Sequence, residues 1–250
     1  MESYNSFAEY YDVLMEDAQY ASRCEYILKT ATRFNHSMGR TLDLACGTGS
    51  LTLELWKRGV DVFGADGSVE MLSEAVAKCS QTGADILFVR QDMQALEPSM
   101  PIDTCVCTLD SLNHLTDEVD VQSTFDGVAR NLRDGGLFIF DVNTVYKHRV
   151  VLADNVFVAE SDRVFCVWQN FPRENDIVDI SLDFFEERNG VYHRSGEDFS
   201  ERAYSEQMLR SMLEKAGFEV LSVCGDLCFD PPAEDEQRVI FTARKREIYK

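Results

Sequence analysis

The sequence predicts an α/β fold built on a doubly wound, mostly parallel sheet, with helices at the N-terminus and a small antiparallel insertion. Three observations predict it. Short apolar runs at 41–45, 61–66, 85–90, 103–108 and 137–142 alternate with stretches of helical period, as crossover units of a parallel sheet do. A tight turn carrying Gly47 and Gly49 follows the first run and opens a helix. Between residues 156 and 199 the apolar period drops to two, with Arg188-Asn189-Gly190 placed as a hairpin turn.

Taken in order, residues 4–34 have helical spacing, with Phe7, Tyr10, Tyr11, Leu14 and Met15 on one face and Tyr26, Ile27, Ala31 and Phe34 on another. A break falls at 17–20. The strand at 41–45 lies between Gly39 and Gly47, and Ser50 is expected to cap a helix bearing Leu51, Leu53, Leu55 and Trp56. The second strand ends at Asp66. Gly67 and Ser68 then turn the chain into a helix whose predicted buried stripe is Val69, Met71, Leu72, Ala75, Val76 and Cys79. The third strand leads to Gln91-Asp92-Met93, and the fourth to Leu109-Asp110-Ser111-Leu112-Asn113-His114-Leu115. A helix at 119–132 precedes the fifth strand. In the insertion, Phe165, Val167, Ile177, Ile180 and Phe184 are candidates for one apolar face that something must cover. A helix at 205–216, closed by Gly217, and strands at 218–224 and 238–245, paired as an antiparallel edge hairpin, finish the chain. The implied division is a core of 1–144 and 205–250, with a helical segment at 1–38, and an insertion at 145–204.

The 250 residues suffice for one large domain or a core with such an insertion. Lys and Arg total 24 against 44 Asp and Glu, a formal charge of -20. So acidic a surface repels phosphate backbones and argues against nucleic acid; a small, cationic partner fits better. No apolar run reaches the ~18 residues of a membrane span, and Met1-Glu2-Ser3-Tyr4 lacks the start of a signal peptide, so a cytoplasmic location is expected. The eight cysteines are then expected to be thiols, with no spacing that suits a metal.

Strand, glycine turn and helix N-terminus together make a nucleotide site, because backbone amides can approach a ligand there. Its type follows from two details. Gly47-x-Gly49-x-x-Thr52 lacks the third glycine of a dinucleotide fingerprint and has no P-loop lysine. Asp43 lies within the strand, where a phosphate would be unwelcome and a cationic ligand favoured. Asp66 follows Gly47 by 19 positions, close to the spacing at which an acid accepts from a ribose diol, though a helix N-cap is the plain alternative.

At these residues the chain resembles motif I of the class I S-adenosylmethionine-dependent methyltransferases, of the small-molecule type. The resemblance implies a seven-stranded, Rossmann-like core, S-adenosylmethionine as cofactor and methyl transfer to a small-molecule acceptor, at N or O. It implies that Tyr11 and Tyr20, in or after a segment similar to an N-terminal lid, reach the cofactor's methionine carboxylate. It implies that Asp92 takes the adenine amino group and the Met93 amide a ring nitrogen, Asp92 being otherwise a loop or capping carboxylate. Ala45, Gly67, Met71 and Leu109 complete the expected contact set with Asp43, Gly47, Gly49 and Asp66.

His114 stands in the polar cluster after the fourth strand, at the sheet edge that faces ligands. Imidazole suits proton removal near neutral pH. Ser111-Leu-Asn-His-Leu resembles the amino-sugar N-methyltransferases, which implies a general base at His114; capping of the next helix is the alternative. The stretch around Glu197, Arg202 and Tyr204 also resembles a family segment, but carries Asp198 where the family usually has His, which weakens the transfer of substrate-binding roles to those three. Two other functions stay open at this level: a non-catalytic nucleoside-binding module, and an NAD(P)-dependent oxidoreductase, which needs the missing glycine. The insertion is expected to shape the acceptor site or a homodimer contact.

Overall fold

The computed structural model describes residues 18–97, 100–161 and 164–247. The core strands are β1 (Arg40–Leu44), β2 (Asp61–Asp66), β3 (Phe88–Arg90), β4 (Ile102–Cys107), β5 (Leu132–Asn143), β10 (Phe218–Gly225) and β11 (Arg238–Lys245). They form one sheet in the order β10-β11-β5-β4-β1-β2-β3. Strands β1 to β5 pair in parallel, and β11 runs antiparallel to both β5 and β10. From β1 the chain builds outward through β2 and β3, then returns to lay β4 and β5 on the other side. That reversal between β1 and β4 opens a crevice over their C-terminal ends.

Both faces of the sheet are covered, which is why the central strands read as continuous apolar runs. On one face, α1 (Tyr20–Arg33) and α2 (Ser50–Lys57) pack Cys24, Ile27, Leu51 and Leu55 against Val62, Val106, Ile139 and Ile240. On the other, Phe125 of α4 (Glu118–Asn131) meets Phe138 and Phe140, which pack in turn on Phe218 and Phe241. Phe140 and Phe241 stack with centroids 4.9 Å apart. Truncating either fully buried ring would cost ~3–5 kcal/mol. This core fixes the crevice above it.

The local predictions hold in outline and shift in detail. Ser68 caps α3 (Val69–Thr82) and Ser205 caps α5 (Glu206–Lys215), each hydroxyl accepting an amide three residues on. Ser50 is not a cap: Gly49 holds the N-cap position of α2, and the Ser50 hydroxyl accepts from Lys78 Nζ at 2.5 Å instead. Of the stripe expected on α3, Ala75 and Cys79 are buried, whereas Val69 and Val76 are about half exposed (48% and 51%). The edge position of β3 leaves that helix only a narrow contact. Strand β3 itself is three residues long, shorter than the predicted run. Residues 1–17, including Tyr11 and most of the expected lid, lie outside the described residues.

Between β5 and α5 a separate antiparallel sheet follows the order β6 (Val156–Glu160), β7 (Val164–Pro172), β8 (Ile177–Arg188), β9 (Val191–Arg202). Asn189 (φ 55°) and Gly190 (φ 78°) make the predicted hairpin turn. The apolar face is phased differently from the expectation. Cys166, Val178, Ile180, Leu182 and Phe184 form its buried face, while Phe165, Val167 and Ile177 alternate onto the other. All eight cysteines are free thiols, and burial raises those of Cys105 and Cys107 well above their ordinary range. No helix among the described residues is long and apolar enough to cross a membrane.

Candidate active site

The crevice at the switch point is lined by Tyr20, Asp43, Ala45, Gly47, Thr108 and Leu109, among others. Its floor is built from unusual backbone. Ala45 (φ 56°), Leu109 (φ 58°) and Asp110 (φ 56°) are left-handed, a conformation that costs an L side chain ~1–2 kcal/mol each. Gly47 also has positive φ (53°), and a Cβ placed on it would meet nothing within 4 Å. Gly47 therefore presents bare backbone to open space, a cradle that a ligand can enter and a side chain would fill. Gly49 is different. Its amide bonds to the Cys46 carbonyl at 2.9 Å, and a Cβ there would press on Ala75 and Phe88 at 2.9 and 3.1 Å. It serves helix packing, and its place in the predicted contact set is through the turn alone.

Asp66 ties the two glycine-bearing loops together. Its Oδ2 accepts the Gly47 amide at 2.8 Å and its Oδ1 accepts the Ser68 amide at 2.8 Å. The Gly67 amide adds to these two, and a carboxylate with about four acceptor positions keeps room for a ribose hydroxyl. Burial raises the Asp66 carboxyl, and these amides hold it back. Asp92 is exposed and lies over Gly67, where an added Cβ would come within 2.6 Å of Asp92 Oδ1. Met93 is partly buried against the core behind it, and Met71 opens α3 with its amide on Ser68 Oγ at 3.2 Å. Tyr20, Asp43, Ala45, Gly47 and Leu109 thus line the crevice itself, while Asp66, Gly67, Met71, Asp92 and Met93 gather beside it at the ends of β2 and β3, joined to it through the Asp66–Gly47 hydrogen bond. Asp43 is 2% exposed, accepts Thr52 Oγ1 at 2.5 Å, and is pushed by burial up to about 7. It is a reserve of negative charge that a cation would call out.

The loop after β4 is held from below by Asp141, a residue whose role the sequence did not disclose. Its carboxylate accepts the Leu109 amide (2.9 Å) and the Asp110 amide (2.8 Å) and pairs with Arg23 (3.1 Å) and Arg238 (2.5 Å). Arg238 also grips Asp110 at 3.1 Å. Burial favours neutral Asp110, but Arg238 and Lys147 outweigh it and hold that carboxyl far below its usual range. The signal for this hub was faint: an Asp at a strand end, with arginines 118 and 97 positions away.

His114 ends a short 3-10 turn (Ser111–His114) above this loop. It caps nothing; the following helix has Asp117 at its N-cap. Its ring packs on Phe199 of β9 with centroids 5.0 Å apart, and Nε2 lies 3.9 Å from Glu201 Oε1. The imidazole is close enough to Asp66 and Asp110 for its cationic form to favour their carboxylates. Glu201 is 5% exposed, accepts Asn143 Nδ2 at 3.2 Å, and has His148 Nε2 at 3.6 Å. Arg202 and Tyr204 turn away to brace the loop, Arg202 on the Thr116 carbonyl at 3.0 Å and Tyr204 on the Leu115 carbonyl. A larger hollow of about 580 Å³, lined by Gly39, Arg40, Asp103 and Arg133 among others, lies at the opposite edge where strands begin, away from all of this chemistry.

Comparison with known proteins agrees with this geometry. The sequence profile of a family described as "Methyltransferase domain" matches residues 41–136. YqeM of Bacillus subtilis (strain 168), named as a methyltransferase, is 34% identical, with 97% of each chain covered. A crystal structure of an S-adenosylmethionine-dependent methyltransferase from Clostridium acetobutylicum ATCC 824 superposes with a TM-score of 0.89 at 32% identity, covering 98% of this chain and 99% of that one. The chain belongs to the class I S-adenosylmethionine-dependent methyltransferases. The sugar N-methyltransferase KedS8 from Streptoalloteichus sp ATCC 53650 shares the fold at a TM-score of 0.79 and 17% identity, covering 95% and 93%. The enzyme's cofactor is S-adenosylmethionine, and the bare Gly47 backbone, the Asp66 carboxylate and the buried Asp43 suit its open shape, ribose and cationic end.

Proposed function

We propose that this methyltransferase acts on a small molecule, at nitrogen or oxygen, with His114 as the proton acceptor for the incoming nucleophile. The observation that carries the reading is the place of His114 above the switch-point crevice, against a buried glutamate and an aromatic ring from the insertion. Bound S-adenosylmethionine supplies an activated methyl group on a sulfonium. Gly47, Asp66, Gly67 and Asp92 would hold its adenosine, with the Met93 amide beside the base. Tyr20, Asp43, Ala45 and Leu109 would hold its methionine end. The chain's task is then alignment, a dry site and removal of one proton. The segment 145–204 forms the acceptor side, with β9 contributing Phe199 and Glu201. A screen of amines, amino sugars, alcohols and small acids, with labelled cofactor and detection of labelled product, tests the reading. Transfer to a small molecule supports it. Label appearing only in a macromolecule, or in nothing across the panel, overturns it.

A further inference from the structure

Four positions apart on the same face of β9 stand two buried glutamates in opposite circumstances. Glu201 is surrounded by partners: Asn143 Nδ2 at 3.2 Å, His148 Nε2 at 3.6 Å and His114 Nε2 at 3.9 Å. Glu197 is 8% exposed, and its Oε2 is buried with no hydrogen-bond partner. Among the described residues no Lys, Arg or His pairs with it. A carboxylate oxygen left so is worth several kcal/mol of destabilisation unless the group is neutralised or given a partner.

The setting says what that partner is. Strand β9 pairs Glu197 with Leu182, Phe199 with Ile180 and Glu201 with Val178, and all six share the face of this sheet that is buried. Phe199, between the two glutamates, is the residue that packs on His114. Glu197 therefore sits two strand residues beyond the proposed base, roughly 7 Å farther along β9. Burial and then Asp198 raise its carboxyl, both disfavouring the charged form, and a cation beside it would favour that form again. Among the described residues no cation pairs with it, and the chain carries a formal charge of -20.

We propose that Glu197 is a recognition residue for a positively charged group of the acceptor, remote from the atom that is methylated. The preferred substrate class is a small organic molecule with two separated nitrogen functions, one addressed by His114 and one by Glu197. The proposal rests on the acceptor lying between the crevice and β9, as set out above. The methylation itself is unchanged: the nucleophile gives a proton to His114, its lone pair forms the new bond to the methyl carbon, and the carbon–sulfur pair leaves with sulfur.

The test uses the full chain saturated with the demethylated cofactor, S-adenosylhomocysteine, followed by calorimetry. Linear diamines of three to six carbons are titrated against monoamines of equal length. At least one diamine should bind about tenfold or more tightly than its monoamine, and Glu197→Gln should erase that preference while leaving S-adenosylhomocysteine affinity unchanged. Equal binding of every matched pair overturns the proposal, as does a preference that survives Glu197→Gln. Failure of S-adenosylhomocysteine to bind would instead strike the cofactor reading. Glu197→Gln should also keep or raise the Tm, since it removes a buried charge. A lower Tm with an intact diamine preference would mean Glu197 is structural only, and Glu197→Leu, which keeps the packing, provides the second variant for the same comparison.

Discussion

The two ends of the crevice are made in different ways. At the cofactor end the contacts are local and mostly backbone: a glycine with open space before it, and an aspartate holding amides from two turns that lie close in sequence. At the end proposed for the acceptor they are side chains gathered from far apart, His114 from the loop after β4, Asn143 from β5, Glu201 from β9, with buried charges of unequal satisfaction. A ligand used by a whole family can be met by turns that fold themselves. A ligand particular to one enzyme is met by whatever the insertion brings. Mutations at the two ends should therefore separate cofactor affinity from turnover.

The largest effect expected is on the acceptor side. His114→Asn should lower the rate by about 10²–10⁴ once an acceptor is in hand, with calorimetric affinity for the cofactor unchanged. A variant with near-native turnover would break the comparison, because the acceptor end would then contribute alignment only. Next comes the hub beneath both ends. Asp141→Ala takes one carboxylate from Arg23 and from Arg238, which keep Asp226 and Asp110, and leaves the Leu109 and Asp110 amides without their acceptor; it should cost about 3–5 kcal/mol of stability by denaturant titration. A loss below 1 kcal/mol would mean the arginines find water or other partners.

On the cofactor side, Asp66→Ala should weaken S-adenosylmethionine binding by about 1.5–3 kcal/mol, the worth of hydrogen bonds to a charged group. Unchanged affinity would leave Asp66 as a brace for Gly47 and Ser68. The smallest effect is a proton count. Asp43 sits near 7 when folded, against ~3.9 unfolded, so the folded chain holds more protons and stability falls as pH rises from about 4 to 7. A bound cation favours the charged form, so near pH 6.5 cofactor binding should release part of a proton. Binding enthalpy should then vary with the buffer's ionisation heat. An enthalpy independent of buffer, or an Asp43→Asn variant with the same dependence, would remove Asp43 from the comparison.

The same division governs how much could be read in advance. The glycine turn, the end of β2 at Asp66 and the succession of parallel strands were legible because their constraints are local: a turn needs glycine, and a buried parallel strand needs an apolar run. The phase of the insertion was misjudged at Phe165, Val167 and Ile177 because apolar residues occur on both faces of β7 and β8, and alternation alone cannot say which face is covered. Gly49 was read as a ligand contact because a glycine excused by helix packing looks the same in sequence as one excused by a ligand. Asp141, Arg23 and Arg238 were missed for a plainer reason. Nothing within ten residues of any of them hints at the other two.

That hub carries a consequence for the order of assembly. Asp141 joins an arginine near the start of the described chain to one near its end, and Asp141 and Arg238 clamp the left-handed loop that floors the crevice. Contacts spanning 118 and 97 positions carry a high loop-closure cost and form late unless they belong to the folding nucleus. The crevice should thus be among the later parts of the molecule to take shape. During synthesis it stays unmade until Arg238 has left the ribosome, although every glycine of the cofactor turn was present nearly two hundred residues earlier. Asp141→Ala should accordingly speed unfolding and leave the folding rate almost untouched, a φ-value near zero.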